Sequence, residues 1–219
     1  MITDVLETKF TKGIASFIEK KMNKSMMNII KNCDVVIIPE NGGDVDNIRR
    51  IGPIVREINF SREELRKKFS FNKKTILISV GGTDAGLFLI QKSIESILKL
   101  NLDIEIILVT GPSITKKFDN VKNLGFVDNL HELIYASDVV ISLAGKSTID
   151  EAKAYGTPGI FIPIKDHFEQ ENNSKNEGFS FNDINKLDEL ILEKLDKKRN
   201  KVNTNGAKLA AEIIRKFTK

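Results

Sequence analysis

The sequence predicts an α/β fold built on a doubly wound parallel sheet, and three observations carry that prediction. From Lys73 onward, short apolar runs alternate with helical stretches. The runs are continuously apolar, without the alternation of a half-exposed strand, so both faces of each strand must be covered. Small-residue turns follow directly on two of these runs, at residues 81–86 and 144–148, and a helical pattern resumes after each. Strand, small turn and helix N-terminus is the unit from which a Rossmann-like sheet is assembled.

The elements follow in order. Residues 11–31 form a long amphipathic helical segment that leads into an apolar run at 34–39 and an Asn-Gly-Gly turn at 41–43. The segment IGPIVREI and a short helix at 62–69 connect this part to the main domain. Strands are then expected at 75–80, 104–110, 125–127, 139–142 and 159–163. Helices are expected between them at 85–100, 115–118, 130–135 and 148–155, with two more at 184–199 and 205–218. A polar loop is expected at 166–173. The domain boundary is placed at residue 60, separating 1–60 from 61–219.

Composition excludes several function classes. The chain has 219 residues, 41% of them hydrophobic and 29% charged, ordinary for a globular protein with ample core. Its formal net charge of +4 is spread among acids, which reads as a solvated surface and not as a nucleic-acid patch. Attraction to an anionic membrane surface stays open, although no run of eighteen apolar residues occurs. The single cysteine, Cys33, rules out an internal disulfide and is expected to be buried beside the 34–39 strand. No His, Asp or Glu cluster has metal-ligand spacing.

Two loops carry the chemistry. Gly81, Gly82 and Thr83 leave the first strand of the domain in a G-G-x-x-x-G pattern, which differs from the G-x-G-x-x-G dinucleotide fingerprint. Glycines there let backbone approach a phosphate, or they simply make a tight turn. Gly145, Lys146, Ser147 and Thr148 form the second loop, at a helix start whose free N–H groups and dipole favour an anion. The plainer reading is that Ser147 or Thr148 caps that helix. Glu151 lies one turn further in, where a carboxylate can accept from a ligand's hydroxyls, so the segment suits a ligand with phosphates and a sugar. His131 reads as a surface or capping histidine, and Asp84 and Asp138 read as turn residues.

The ordered segments ILISVGGTDAG, NLGFVDNLHELIYASDVVIS, AGKSTIDEAKAYGTP and IPIKDHFEQENN, with IGPIVREI ahead of them, resemble the nucleotide-sugar half of the family 28 glycosyltransferases, the group of MurG-like enzymes. The resemblance covers roughly residues 45–180 and implies the C-terminal half of a GT-B fold, with residues 1–60 as a remnant of the N-terminal domain and linker. It implies that Gly81, Gly82, Thr83, Gly145, Lys146, Ser147 and Thr148 cradle a diphosphate and that Glu151 holds the ribose. Phe126 would then sit at the uracil, with a core phenylalanine as the alternative, and Glu169 and Gln170 would read the donor sugar, supported by Asn173. Glu169 and Lys146 depart from the MurG-like pattern. Lys146 either assists the leaving diphosphate or points to solvent. Arg56, in the GP-V-R segment, would then be within reach of the diphosphate, and His167 lies on the donor side and is not the base.

The implied activity is inverting transfer of a hexose from a UDP-sugar to an acceptor hydroxyl, on a lipid-linked or other glycan, without metal or other cofactor. No nucleic-acid partner is implied. The expected location is cytoplasmic, at the inner face of a membrane. The acceptor-side loops and the general base belong to a half that precedes this segment in the family. A truncated chain or a partner polypeptide would account for that, and the second case gives the alternative of a nucleotide-sugar-binding subunit without activity of its own.

Overall fold

The computed structural model describes residues 1–3, 14–81 and 84–217, without the side chains of Ile14 and Ala15. Elements α1 (Ile14–Lys31), β1 (Val36–Ile38), β2 (Ile48–Arg50) and α2 (Arg62–Phe69) come first. Then follow β3 (Lys74–Ser79), α3 (Leu87–Lys99), β4 (Ile104–Val109), β5 (Lys122–Gly125), α4 (Leu130–Ala136) and β6 (Val139–Leu143). The chain closes with α5 (Lys146–Tyr155), β7 (Gly159–Ile162), α6 (Phe168–Asn176), α7 (Leu187–Asp196) and α8 (Gly206–Arg215). These elements form two compact units, Met1–Val55 with Asn203–Lys219, and Arg56–Val202. The sequence reading put residues 203–219 with the second unit, whereas α8 packs within the first.

In the first unit β1 and β2 pair in parallel, and β1 is buried along its whole length. Side chains of a strand alternate between its faces. Val36 and Ile38 therefore meet Ile30, Met26 and Met27 of α1, while Ile37 meets Ala210, Leu209 and Ile213 of α8. Cys33 is half-buried beside the α1 cluster, less enclosed than its apolar surroundings in sequence suggest. Residues 11–13 of the expected first helix lie outside the described residues.

The second unit holds a five-stranded parallel sheet in the order β5-β4-β3-β6-β7. Its central strands bury Ile76, Leu77, Ile78, Ile107, Leu108, Val140 and Ile141 completely. Continuous apolar runs in β3, β4 and β6 are the sequence signature of that double coverage. α2 is bounded by a capping box between Ser61 and Glu64, the pattern that sets a sharp helix start.

Three local expectations change. Residues 115–118 form no helix. The third strand of the sheet runs over Lys122–Gly125 instead of 125–127, because Gly125 adopts φ 63° and ends it. As an edge strand with exposed Lys122 and Asn123, β5 lacks the apolar signal that marked the others. The polar stretch expected as a loop at 166–173 is mostly the helix α6, begun at His167, whose Nδ1 accepts from the Gln170 N–H at 3.4 Å.

Asp138 is more than a turn residue. Its carboxylate accepts from Arg62 at 2.7 Å, from Arg66 at 3.0 Å and from the Thr75 N–H at 2.8 Å, fastening α2 to the entry of β3.

Candidate functional site

The sheet order creates one crevice. From β3 the chain crosses to β4 on one side, and β6 later enters on the other, so the direction of winding reverses between β3 and β6. Ligands of open α/β sheets bind at the carboxyl ends of such a pair. Ser79 is in register with Ser142, so residues 80–81 and 144–145 leave the sheet side by side. Both predicted loops therefore meet at the same crevice, although they lie far apart in sequence. Gly81 turns with φ 77°, a conformation that favours glycine, and its carbonyl accepts from Gly111 N–H at 2.8 Å, linking this loop to the end of β4. The predicted Gly82 and Thr83 lie outside the described residues. Asp84 begins the short 3-10 turn that leads into α3.

The second loop is built differently from the capping pattern read in the sequence. α5 starts at Lys146, and its N-cap is Gly145, which has no side chain to accept from the first-turn N–H groups. Ser147 and Thr148 therefore stand inside the first turn and do not cap it. The helix presents its positive end toward the crevice without a built-in anion. Lys146 is paired within its own helix. Its Nζ is held by both carboxylate oxygens of Asp150 at 2.7 Å each, on the same helix. Burial pushes Asp150 up from its ordinary pKa, and Lys146 opposes that shift.

Glu151, one turn inside α5, is 4% exposed. Its counter-charge is Arg56, whose Nε donates to Oε1 at 2.8 Å and whose Nη2 donates to Oε2 at 3.4 Å. The Arg56 Nη1 also donates to the Asp128 carbonyl at 3.3 Å, and its own carbonyl accepts from the Tyr155 hydroxyl at 2.6 Å.

His131, in the first turn of α4, belongs to this neighbourhood. Its Nδ1 is enclosed without a hydrogen-bond partner. Burial lowers its pKa below 6.5, and Arg56 adds to the lowering, while Glu151 and Glu132 oppose it and Lys68 joins Arg56. Because the folded pKa lies below the unfolded one, His131 contributes stability above about pH 6.5 that is lost as pH falls through the folded value. Thermal melts should show a smaller loss between pH 7 and pH 5 for His131→Gln than for the wild type. Equal losses would remove His131 from the acid response.

At the end of β5, Gly125 and the 70% exposed Phe126 flank a cleft of about 540 Å³ that Thr110, Gly111, Pro112 and Phe118 also line. Phe126 is thus no core phenylalanine. On the other flank, Asn173 of α6 donates to the Ala144 carbonyl at 3.1 Å, tying that helix to the residue ahead of Gly145. One turn earlier, Gln170 accepts from the Ile164 N–H at 3.0 Å and Glu169 is exposed.

The structure thus brings Gly81, Gly145–Thr148, Glu151, Phe126, Glu169 and Gln170 to the carboxyl-end face of one sheet. Sequence reasoning missed the Lys146–Asp150 pair and Tyr155. The spacing of four residues in Lys146–Asp150 and Glu151–Tyr155 was a legible signal, since such residues share a helix face. Among the described residues no group of three or more His, Cys, Asp or Glu could hold a metal ion.

Comparison with known proteins places this geometry. The family profile "Glycosyltransferase family 28 C-terminal domain" matches residues 75–219. An uncharacterized glycosyltransferase of Methanopyrus kandleri is 26% identical over 166 residues, covering 70% of this chain and 48% of that protein. The UDP-N-acetylglucosamine–N-acetylmuramyl-(pentapeptide) pyrophosphoryl-undecaprenol N-acetylglucosamine transferase of Aquifex aeolicus, a MurG-like enzyme, is 33% identical over 134 residues, covering 54% of this chain and 38% of that protein. The chain thus spans about half the length, or less, of these curated relatives. Among solved structures, Phytolacca americana UGT2 in complex with UDP-2fluoro-glucose and pterostilbene has a TM-score of 0.55 at 13% identity, covering 92% of this chain and 57% of that one. At that identity the likeness shows the fold, a parallel-sheet α/β domain like those of GT-B glycosyltransferases. With the profile spanning all of the strand–loop–helix units that build the crevice, the chain belongs to glycosyltransferase family 28, whose C-terminal domain it carries.

Proposed function

We propose that this domain binds the UDP-sugar donor of a hexosyltransferase and holds it while an acceptor hydroxyl attacks the anomeric carbon with inversion. The observation that carries the reading is the buried Glu151, one turn inside an α5 N-terminus that no side chain caps, at the point where the sheet reverses its winding. Diphosphate at the loops of Gly81–Thr83 and Gly145–Thr148 meets backbone N–H groups and the positive end of α5. Charge that develops on the departing UDP is stabilised by these same fixed dipoles. Ribose hydroxyls donate to Glu151, the base occupies the cleft beside Phe126, and the sugar faces Glu169 and Gln170. Phytolacca americana UGT2, solved with UDP-2fluoro-glucose, supports a nucleotide-sugar ligand for this fold. Lys146, already neutralised by Asp150, contributes little net charge to the diphosphate.

The acceptor is a hydroxyl of a lipid-linked or other glycan, as in the Aquifex relative's printed activity. The base that deprotonates it comes from outside the residues of this site. A cytoplasmic position against the inner face of a membrane accords with the mildly basic chain.

Titration calorimetry of the chain with UDP and with UDP-sugars tests the reading. Micromolar binding of UDP is expected, and no detectable binding would sink it. A second reading is a donor-binding subunit without its own turnover. Transfer or hydrolysis assays separate the two: binding without turnover, with turnover restored by a complementing polypeptide, selects the subunit.

A further inference from the structure

Both carboxylate oxygens of Glu151 face a single guanidinium, and the side chain is otherwise only 5% exposed. A buried carboxylate needs a counter-charge, and a nucleoside diphosphate brings only negative charge of its own. That counter-charge has to come from the protein, and Arg56 supplies it. An ionised carboxylate offers about four acceptor positions. The guanidinium engages one on each oxygen, which leaves one on each oxygen free, the number that two vicinal hydroxyls require.

Arg56 is itself held in place. The Tyr155 hydroxyl donates to its backbone carbonyl at 2.6 Å, and its Nη1 donates to the Asp128 carbonyl at 3.3 Å. Burial, reinforced by the Glu151 charge, pushes the Tyr155 phenol well above its ordinary pKa, so it stays protonated and keeps donating. Tyr155 follows Glu151 by one helical turn, so one face of α5 presents both the carboxylate and the hydroxyl that fix this arginine. A planar fork spanning two oxygens sets direction as well as charge, which a lysine ammonium does not.

We propose that Arg56 is the positioning residue of the ribose subsite. It turns the Glu151 carboxylate so that its free acceptor positions meet the 2′- and 3′-hydroxyls of a ribonucleoside diphosphate, and it thereby selects ribo- over deoxyribonucleotides. This role rests on the donor-site reading above, but it differs from direct contact between Arg56 and the diphosphate.

The test compares UDP with 2′-deoxy-UDP by calorimetry on the full chain. A hydrogen bond to a charged acceptor is worth roughly a tenfold preference for UDP in the wild type. Arg56→Ala should weaken UDP by about 100-fold, because both hydroxyl contacts are lost, and 2′-deoxy-UDP by only about tenfold, because it had the 3′-hydroxyl contact alone, so the preference disappears. Arg56→Lys should recover part of the UDP affinity. Adding Glu151→Gln to Arg56→Ala should cost no further UDP affinity, as expected of two residues that act as a unit. Arg56→Ala leaves the Glu151 charge buried without its partner, so a lower melting temperature is expected, and binding is read at a temperature where the variant is folded; the double variant with Glu151→Gln, which removes that charge, checks that the loss of affinity is not loss of folding. Equal losses for both nucleotides would place Arg56 on the diphosphate or base and overturn the proposal, as would unchanged UDP binding. Failure of the wild type to bind UDP would instead bring down the donor reading, and this role with it.

Discussion

Gly145→Asp should abolish UDP binding while leaving the protein as stable as before, or slightly more so. Gly145 has φ −74°, and a Cβ built there meets nothing within 4 Å, so a side chain fits the folded chain without strain. Asp is a better N-cap than Gly by a few tenths of a kcal/mol. The melting temperature should therefore hold or rise by about 1–2 °C. The added carboxylate would sit at the open N-terminus of α5, in the place proposed for the diphosphate. Juxtaposed like charges cost several kcal/mol, so UDP affinity should fall by about 100-fold or more. Stability and binding then move in opposite directions, which loss of folding cannot imitate. Retained UDP affinity in this variant would show that α5 does not hold the diphosphate.

Arg199→Ala should produce the largest loss of stability. The Arg199 guanidinium donates to the carbonyls of Ser137 at 2.7 Å, Tyr135 at 2.9 Å and Tyr155 at 3.3 Å, and to the Thr157 hydroxyl at 2.7 Å. It also lies over the Tyr135 ring, 5.4 Å from its centroid. Burial, with the nearby Arg62 charge, pulls its pKa down to about 10, so it remains a cation at neutral pH. These contacts join the ends of α4 and α5 to the segment that follows α7. Truncation would leave several acceptors enclosed without a donor, at a cost of about 3–5 kcal/mol. A drop of roughly 10 °C in melting temperature follows for a chain of this size. Arg199→Lys should rescue little, because one ammonium cannot reproduce a planar fork that spans acceptors in two segments. A loss below about 1 kcal/mol in denaturant melts would contradict this account.

The candidate site was legible where its signal is local. Small residues after an apolar run, and an acid one turn into the next helix, are readable at Gly145–Glu151 because strand end, turn and helix start lie within a dozen residues. The turn at Gly81, which follows β3 directly, was legible for the same reason. The N-cap was misassigned because the sequence offered two hydroxyl residues just inside the first turn, and backbone dihedrals at Gly145 decided otherwise. Lys146 could not be placed because its partner, Asp150, competes with solvent and ligand on energies that spacing does not rank.

The sequence by itself determined the α/β class, the central strands and the positions of both loops, since periodicity and turn chemistry act over a few residues. It did not determine the order of the strands. Only the tertiary structure sets β3 beside β6, which turns two separate loops into one crevice. Only it delivers Arg56 to Glu151, 95 residues away in sequence, and makes β5 an edge strand whose polar residues hid it. Such pairings depend on how whole strands and helices bury their apolar faces against one another. No window of sequence carries that information, because the partners that satisfy a buried charge are chosen by the packing of the complete domain.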